Sequence, residues 1–200
     1  MRRLAAVLAV TIGLLGPAAV PAVAGGPDNV VSAESTVDAA GAPTSVIRTN
    51  LRASSTGTDE LTSKNIAEAF SHDCTGCRAI AVAFQAVIAT GHPHTVTPRN
   101  LAAGVNLRCT GCATFAFAFQ YVVTTDGSAQ LSDAGFAEVA RIRQQIADAA
   151  NSGVPFDQLD ATLKDLAQQF RAAIDANLVH TGGSEGTPHE DEEMDEAPGA

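Results

Sequence analysis

The chain has 200 residues, 22 acidic against 12 basic side chains, a formal charge of −10, no tryptophan and one tyrosine. Such a length holds one domain of ordinary size with tails. The acid excess argues against nucleic acid and against an anionic membrane surface as partners. Seven of the acids (Glu185, Glu190, Asp191, Glu192, Glu193, Asp195, Glu196) crowd the last sixteen residues, so the rest is only mildly acidic.

Residues 1–24 read as a secretory signal peptide. Arg2 and Arg3 are followed by an apolar run through Leu15, and Ala22-Val23-Ala24 offers a small-residue cleavage site. The run breaks at Gly16-Pro17, too short to span a bilayer comfortably. Cleavage would take two of the 12 bases and no acid, leaving a charge of −12. No membrane span is expected afterwards, and the expected location is secreted or extracellular. Residues 25–60 are polar and small, with no sustained period, and are expected to form a disordered leader or linker.

Residues 61–125 contain a duplication. Cys74-Thr75-Gly76-Cys77 recurs as Cys109-Thr110-Gly111-Cys112, and over fifteen aligned positions nine residues are identical, including Phe84/Phe119 and Gln85/Gln120. Upstream, Asn65/Asn100, Ile66/Leu101 and Ala67/Ala102 continue the match. A repeat of this period is one structural unit used twice. After each CxxC, large residues alternate with small ones: Ile80, Val82, Phe84 and Ile88 against Ala81, Ala83, Gln85 and Val87, then Phe115, Phe117, Phe119, Tyr121 and Val123 against Ala116, Ala118, Gln120 and Val122. Two-fold alternation predicts a strand with one bulky and one small face. The rival reading is an Ala-rich helix. Residues 65–70 and 100–105 are the candidate partner strands, giving a strand–CxxC turn–strand unit in each copy. Between the copies, His92 and His94 flank Pro93 in turn chemistry; a solvated loop is preferred there over a metal site.

From 126 to 180 the period turns helical. Ser132-Asp133 can cap a helix to about Ala150, with Phe136, Val139, Ile142 and Ile146 on one face. A second helix is predicted from Pro155 to about Leu178 on the stripe Leu159, Leu163, Leu166, Phe170, Ile174 and Leu178. Residues 181–200 read as an acidic, disordered tail. The fold class expected is α+β: a small antiparallel sheet from the two CxxC units, packed under a C-terminal two-helix hairpin, with disordered termini.

Three chemistries are open to Cys74, Cys77, Cys109 and Cys112. Two structural disulfides come first, because an exported chain with an even cysteine count meets an oxidising compartment. Pairing within each CxxC is favoured over pairing across the copies, since the repeated Thr-Gly spacer permits a tight turn. Four cysteines also make a zinc ligand set, although the gap between the pairs exceeds the usual spacing. A redox-active thiol pair comes third and wants a helix after the CxxC. Gln85 and Gln120 interrupt the apolar runs at the same place, where paired amides would fix register between the copies.

Hydrolytic machinery is not assembled. His189-Glu190-Asp191-Glu192-Glu193 begins like HExxH but places Glu193 where the second histidine must stand. His72 and Asp73 precede Cys74, whereas Leu107 and Arg108 precede Cys109, so a Cys/His couple is not repeated.

The repeated pattern N-x-A…C-T-G-C-x-x-x-A-x-A-F-Q followed by a helical pair resembles a family of uncharacterised exported proteins from high-GC Gram-positive bacteria, over about residues 61–178. Some of its members carry a "peptide zinc metalloprotease" label, for which this chain lacks HExxH. The resemblance implies no catalytic or cofactor-binding residue. The leading expectation is a secreted, non-enzymatic structural or partner-binding protein, with a protein or cell-envelope partner and no cofactor. The alternative is an extracellular four-cysteine zinc site or a thiol-redox accessory protein.

Overall fold

The computed structural model describes residues 28–57, 59–91, 93–182 and 189–199, and the expected signal peptide at 1–24 lies outside them. Strands β1 (Asn29–Ser35), β3 (Glu60–His72) and β5 (Thr95–Leu107) form one parallel sheet in that order. Strands β2 (Ser45–Gly57), β4 (Arg78–Thr90) and β6 (Ala113–Thr125) form a second parallel sheet. The chain alternates between the sheets, so β1–β2, β3–β4 and β5–β6 are three successive coils of a parallel β-solenoid.

Side-chain parity decides what fills the coil. Along β3 the inward positions are Leu61, Ser63, Asn65, Ala67, Ala69 and Ser71, all buried, while their neighbours are exposed or half-buried. On β4 and β6 the small parity turns inward. Ala79, Ala81, Ala83, Ala116 and Ala118 meet Ala33, Ala67, Ala69 and Ala102 across the coil, and alanine on both sides lets the two sheets approach closely. The large parity turns outward, where Ile80, Val82, Phe84, Phe115, Phe117, Phe119 and Tyr121 are fully buried beneath the helices.

Strand β7 (Ser128–Leu131) leads into α1 (Asp133–Asn151), and α2 (Phe156–Asn177) runs straight into β8 (Leu178–Gly182), which pairs with β7. Ser132 caps α1 by accepting from the Gly135 N–H. Leu159, Leu163, Leu166, Phe170 and Ile174 of α2 are buried as their spacing requires. On α1 the buried stripe is Gly135, Val139, Ile142, Ile146 and Ala150, and Phe136 is exposed. A Cβ at Gly135 would stand 2.6 Å from Leu131 Cγ and 2.7 Å from Asn177 Cβ, so the first turn presses close and Phe136 rotates outward.

This architecture overturns the expected small antiparallel sheet. The segments 65–70 and 100–105 do lie in strands, but the CxxC turn sends the chain to the opposite sheet instead of folding it back. Each strand then pairs with its own copy in the next coil, as in Asn65↔Asn100 and Gln85↔Gln120. Parallel stacking of a repeat sets like on like, which suits amides and alanines equally. Residues 29–57, expected to be disordered, supply the first coil. In the stretch expected to be an acidic disordered tail, strand β9 (His189–Gly199) pairs antiparallel with β6.

Inside the coil, a ladder of buried asparagines ties the strands together. Asn29 Nδ2 donates to Asn65 Oδ1 at 2.8 Å, and Asn65 Nδ2 donates to Asn100 Oδ1 at 2.8 Å. The same amides reach across to the other sheet, at the carbonyls of Phe84, Ala83, Phe119 and Ala118. Substituting Asn65→Ala leaves Asn29 Nδ2 and Asn100 Oδ1 without that rung in a buried interior. Urea unfolding should show a loss of about 3 kcal/mol, the cost of stranding buried polar partners. A loss no larger than that of an exposed substitution on β3 would contradict the ladder's role.

Candidate functional site

The four cysteines occupy one corner of the solenoid, where the chain passes from the first sheet to the second. Cys74–Cys77 and Cys109–Cys112 are disulfides, each within its own CxxC. Gly76 and Gly111 take φ of 75° and 63°, a left-handed conformation that glycine enters without a Cβ penalty. The two turns stack directly. Gly76 N donates to Thr110 O at 2.9 Å, Thr110 N to Cys74 O at 3.1 Å, and Ala113 N to Cys77 O at 2.9 Å. Cys74 Sγ consequently lies 3.2 Å from Cys109 Sγ and 3.5 Å from Cys112 Sγ. Cys74 and Cys77 are buried, and Cys109 and Cys112 are half-buried.

The residue pair that opens each turn carries opposite charges. Asp73 and Arg108 both have positive φ, 52° and 49°, and Arg108 donates two hydrogen bonds to the Asp73 carboxylate. That fork holds the Asp73 carboxyl far below the usual range. His72 bridges Asp73 Oδ2 at 3.0 Å and Glu34 Oε1 at 2.8 Å, linking all three coils at the rim. Hydrogen bonding to Asp73 first, then to Glu34, raises its pKa above the ordinary 6.5. The sequence places Asp73 and Arg108 at equivalent positions, but nothing in it shows that the copies stack in parallel and bring those positions together.

The remaining sequence candidates separate. Gln85 and Gln120 meet, with Gln120 Nε2 donating to Gln85 Oε1 at 2.6 Å and to Ser63 Oγ at 3.0 Å. His94 is exposed beside the β4–β5 turn, and His92 is outside the described residues. His189 lies on β9, opposite Thr124 of β6. Among the described residues, the grouping of three or more metal-capable ligands is that of Cys74, Cys109 and Cys112, whose sulfurs lie within 4.8 Å of one another.

A second feature was not read from the sequence. The outer face of the β1–β3–β5 sheet carries the rows Val30–Ile66–Leu101 and Glu34–Phe70–Val105, followed by Leu107 beside His72. Val30, Val105 and Leu107 are 58%, 47% and 45% exposed, and Ile66, Phe70 and Leu101 are half-buried. Both helices pack on the other sheet. No described helix is long and apolar enough to cross a membrane. Comparison of the chain with protein-family models, with curated proteins and with solved structures returns no match.

The rim network has a pH signature. Because the folded pKa of His72 is raised, its contribution is fully present below the unfolded value of 6.5 and is lost as pH rises through the folded value. In an NMR titration His72 should titrate above 6.5, and Asp73→Asn should lower its midpoint. A midpoint at or below 6.5 in the unaltered chain would show that the two carboxylates do not hold it.

Proposed function

We propose that this protein is an exported, non-enzymatic scaffold that binds a protein of the cell envelope through the outer face of the β1–β3–β5 sheet. The observation that carries this reading is the apolar rows on that face. Parallel sheets are as a rule covered on both sides, and the β2–β4–β6 sheet obeys, with alanines against one face and helices against the other. The β1–β3–β5 sheet has its inner face packed and leaves Val30, Ile66, Leu101, Phe70, Val105 and Leu107 outside. The two apolar rows are separated by the Ser32–Glu68–Ala103 row and flanked by Glu34, Lys64 and Arg99, and apolar side chains interspersed with a few charges are the composition of a protein-binding surface. Export is supported by the leader's charge and apolar pattern and by the two disulfides, which persist in oxidising compartments. Disulfides at the corner and hydrogen-bonded amides inside give a stiff frame, so the face is preorganised and binding does not have to order it. The kinship proposed from the duplicated motif, with exported proteins of high-GC Gram-positive bacteria, agrees with this setting.

The test uses the mature chain and an outward-facing variant, Leu101→Glu, on envelopes of the producing cells. Saturable binding should fall about tenfold or more in the variant, the usual size of a central interface residue, with the thermal midpoint unchanged. Equal binding by the two proteins, or no saturable binding, would overturn the proposal.

A further inference from the structure

We propose that the stacked CxxC corner, once its two disulfides are reduced, is a four-thiolate site for a single zinc ion. The inference is independent of the scaffold reading and rests on the geometry of the corner. In the sequence, the gap between the two CxxC pairs exceeds the usual spacing of zinc ligands. Parallel winding removes that objection, because one full coil returns the chain to the same corner and the backbone bridge Thr75↔Thr110 sets the two turns side by side.

Three of the four sulfurs, those of Cys74, Cys109 and Cys112, already stand at spacing that suits the ion. Zinc–thiolate bonds of about 2.3 Å in a tetrahedron require sulfurs about 3.8 Å apart. Across the two turns Cys74 Sγ already stands 3.2 Å from Cys109 Sγ and 3.5 Å from Cys112 Sγ. Within each turn the sulfurs must part from bonded distance, over Cα separations of 6.2 Å and 5.8 Å, and Cys77 Sγ must leave the Thr36 carbonyl, 3.3 Å away, to join the other three. The backbone hydrogen bonds from Gly76, Thr110 and Ala113 hold the turns together without help from sulfur–sulfur bonds. Ligand type selects the metal class: four thiolates favour zinc over hard cations such as magnesium or calcium. Half-burial of Cys109 and Cys112 leaves a path for the ion, while Cys74 and Cys77 form the inner side.

The chemistry balances with a dithiol reductant. Two dithiol molecules reduce Cys74–Cys77 and Cys109–Cys112 to four thiols and leave as two cyclic disulfides. Zinc then binds four sulfurs as four protons depart, with no further electron transfer. The corner thus has two exclusive states, disulfide-closed when oxidised and zinc-closed when reduced.

The experiment reduces the mature chain anaerobically, removes the reductant, and titrates it with cobalt(II) and then zinc. One cobalt per chain should bind with thiolate charge-transfer and tetrahedral d–d absorption, and zinc should displace it. Cys74→Ser and Cys109→Ser should each weaken zinc binding by about tenfold or more, and the oxidised chain should bind none. Absent binding, two ions per chain, or variants that bind like the parent would overturn the proposal. So would an oxidised chain that binds equally well. Far-UV circular dichroism guards against unfolding. If the reduced chain loses its β signal, one equivalent of zinc must restore it, and failure to do so also overturns the proposal.

Discussion

The buried amide ladder is the constraint on which the rest of the molecule depends. Asn29, Asn65 and Asn100 are separated by one coil each, donate to one another along the solenoid axis, and reach the carbonyls of the facing sheet. A slip by one residue in either sheet would turn an amide outward and an outer residue into the alanine-lined interior, where neither has partners or room. Gln85 and Gln120 repeat the device on the second sheet. Register is therefore fixed twice, once on each wall, by groups that are costly to bury unpaired.

Register in turn builds everything that shows on the surface. Because like stacks on like, the CxxC turns fall together and the sulfurs of Cys74, Cys109 and Cys112 converge at one corner, with Cys77 beside them. The same stacking gathers Phe84, Phe117 and Phe119 into a bulky outer face, against which Phe170 of α2 sits with ring centroids at 6.0 and 6.3 Å. The hairpin of α1 and α2 is a lid on that face. Its edges are fastened by Tyr121 donating to Asp175 and by Arg143 donating to the Leu51 carbonyl on β2. One sheet is thereby buried on both sides and the other keeps an open face.

Much of this was legible in the residues, and the failures have identifiable causes. The helices follow from apolar stripes and caps that are local signals. The bulky and small parities of β4 and β6 follow from alternation, and the disulfide partners from the repeated spacer. What could not be read is which strand pairs with which, because a strand–turn–strand unit looks the same whether it closes as a hairpin or crosses between sheets. The first coil was hidden for a different reason. Its corner spans residues 36–44, closed by the Val37↔Pro43 bridge, where the other coils use five residues that include the CxxC. With neither cysteines nor the same spacing, Asn29 has no visible link to Asn65. The open apolar face was missed because its rows join residues 35 or 36 apart, and each looks isolated along the chain.

Every feature above depends on the in-register parallel stacking of all three coils. Isotope-edited NMR of the chain, read for cross-strand contacts and for side-chain amide exchange, tests that stacking in one sample. The expected result is contacts linking residue 29 to 65, 65 to 100 and 85 to 120, with slowly exchanging side-chain amides at Asn29, Asn65 and Asn100. Contacts of a hairpin between β3 and β4, or rapid exchange throughout residues 29–57, would contradict it.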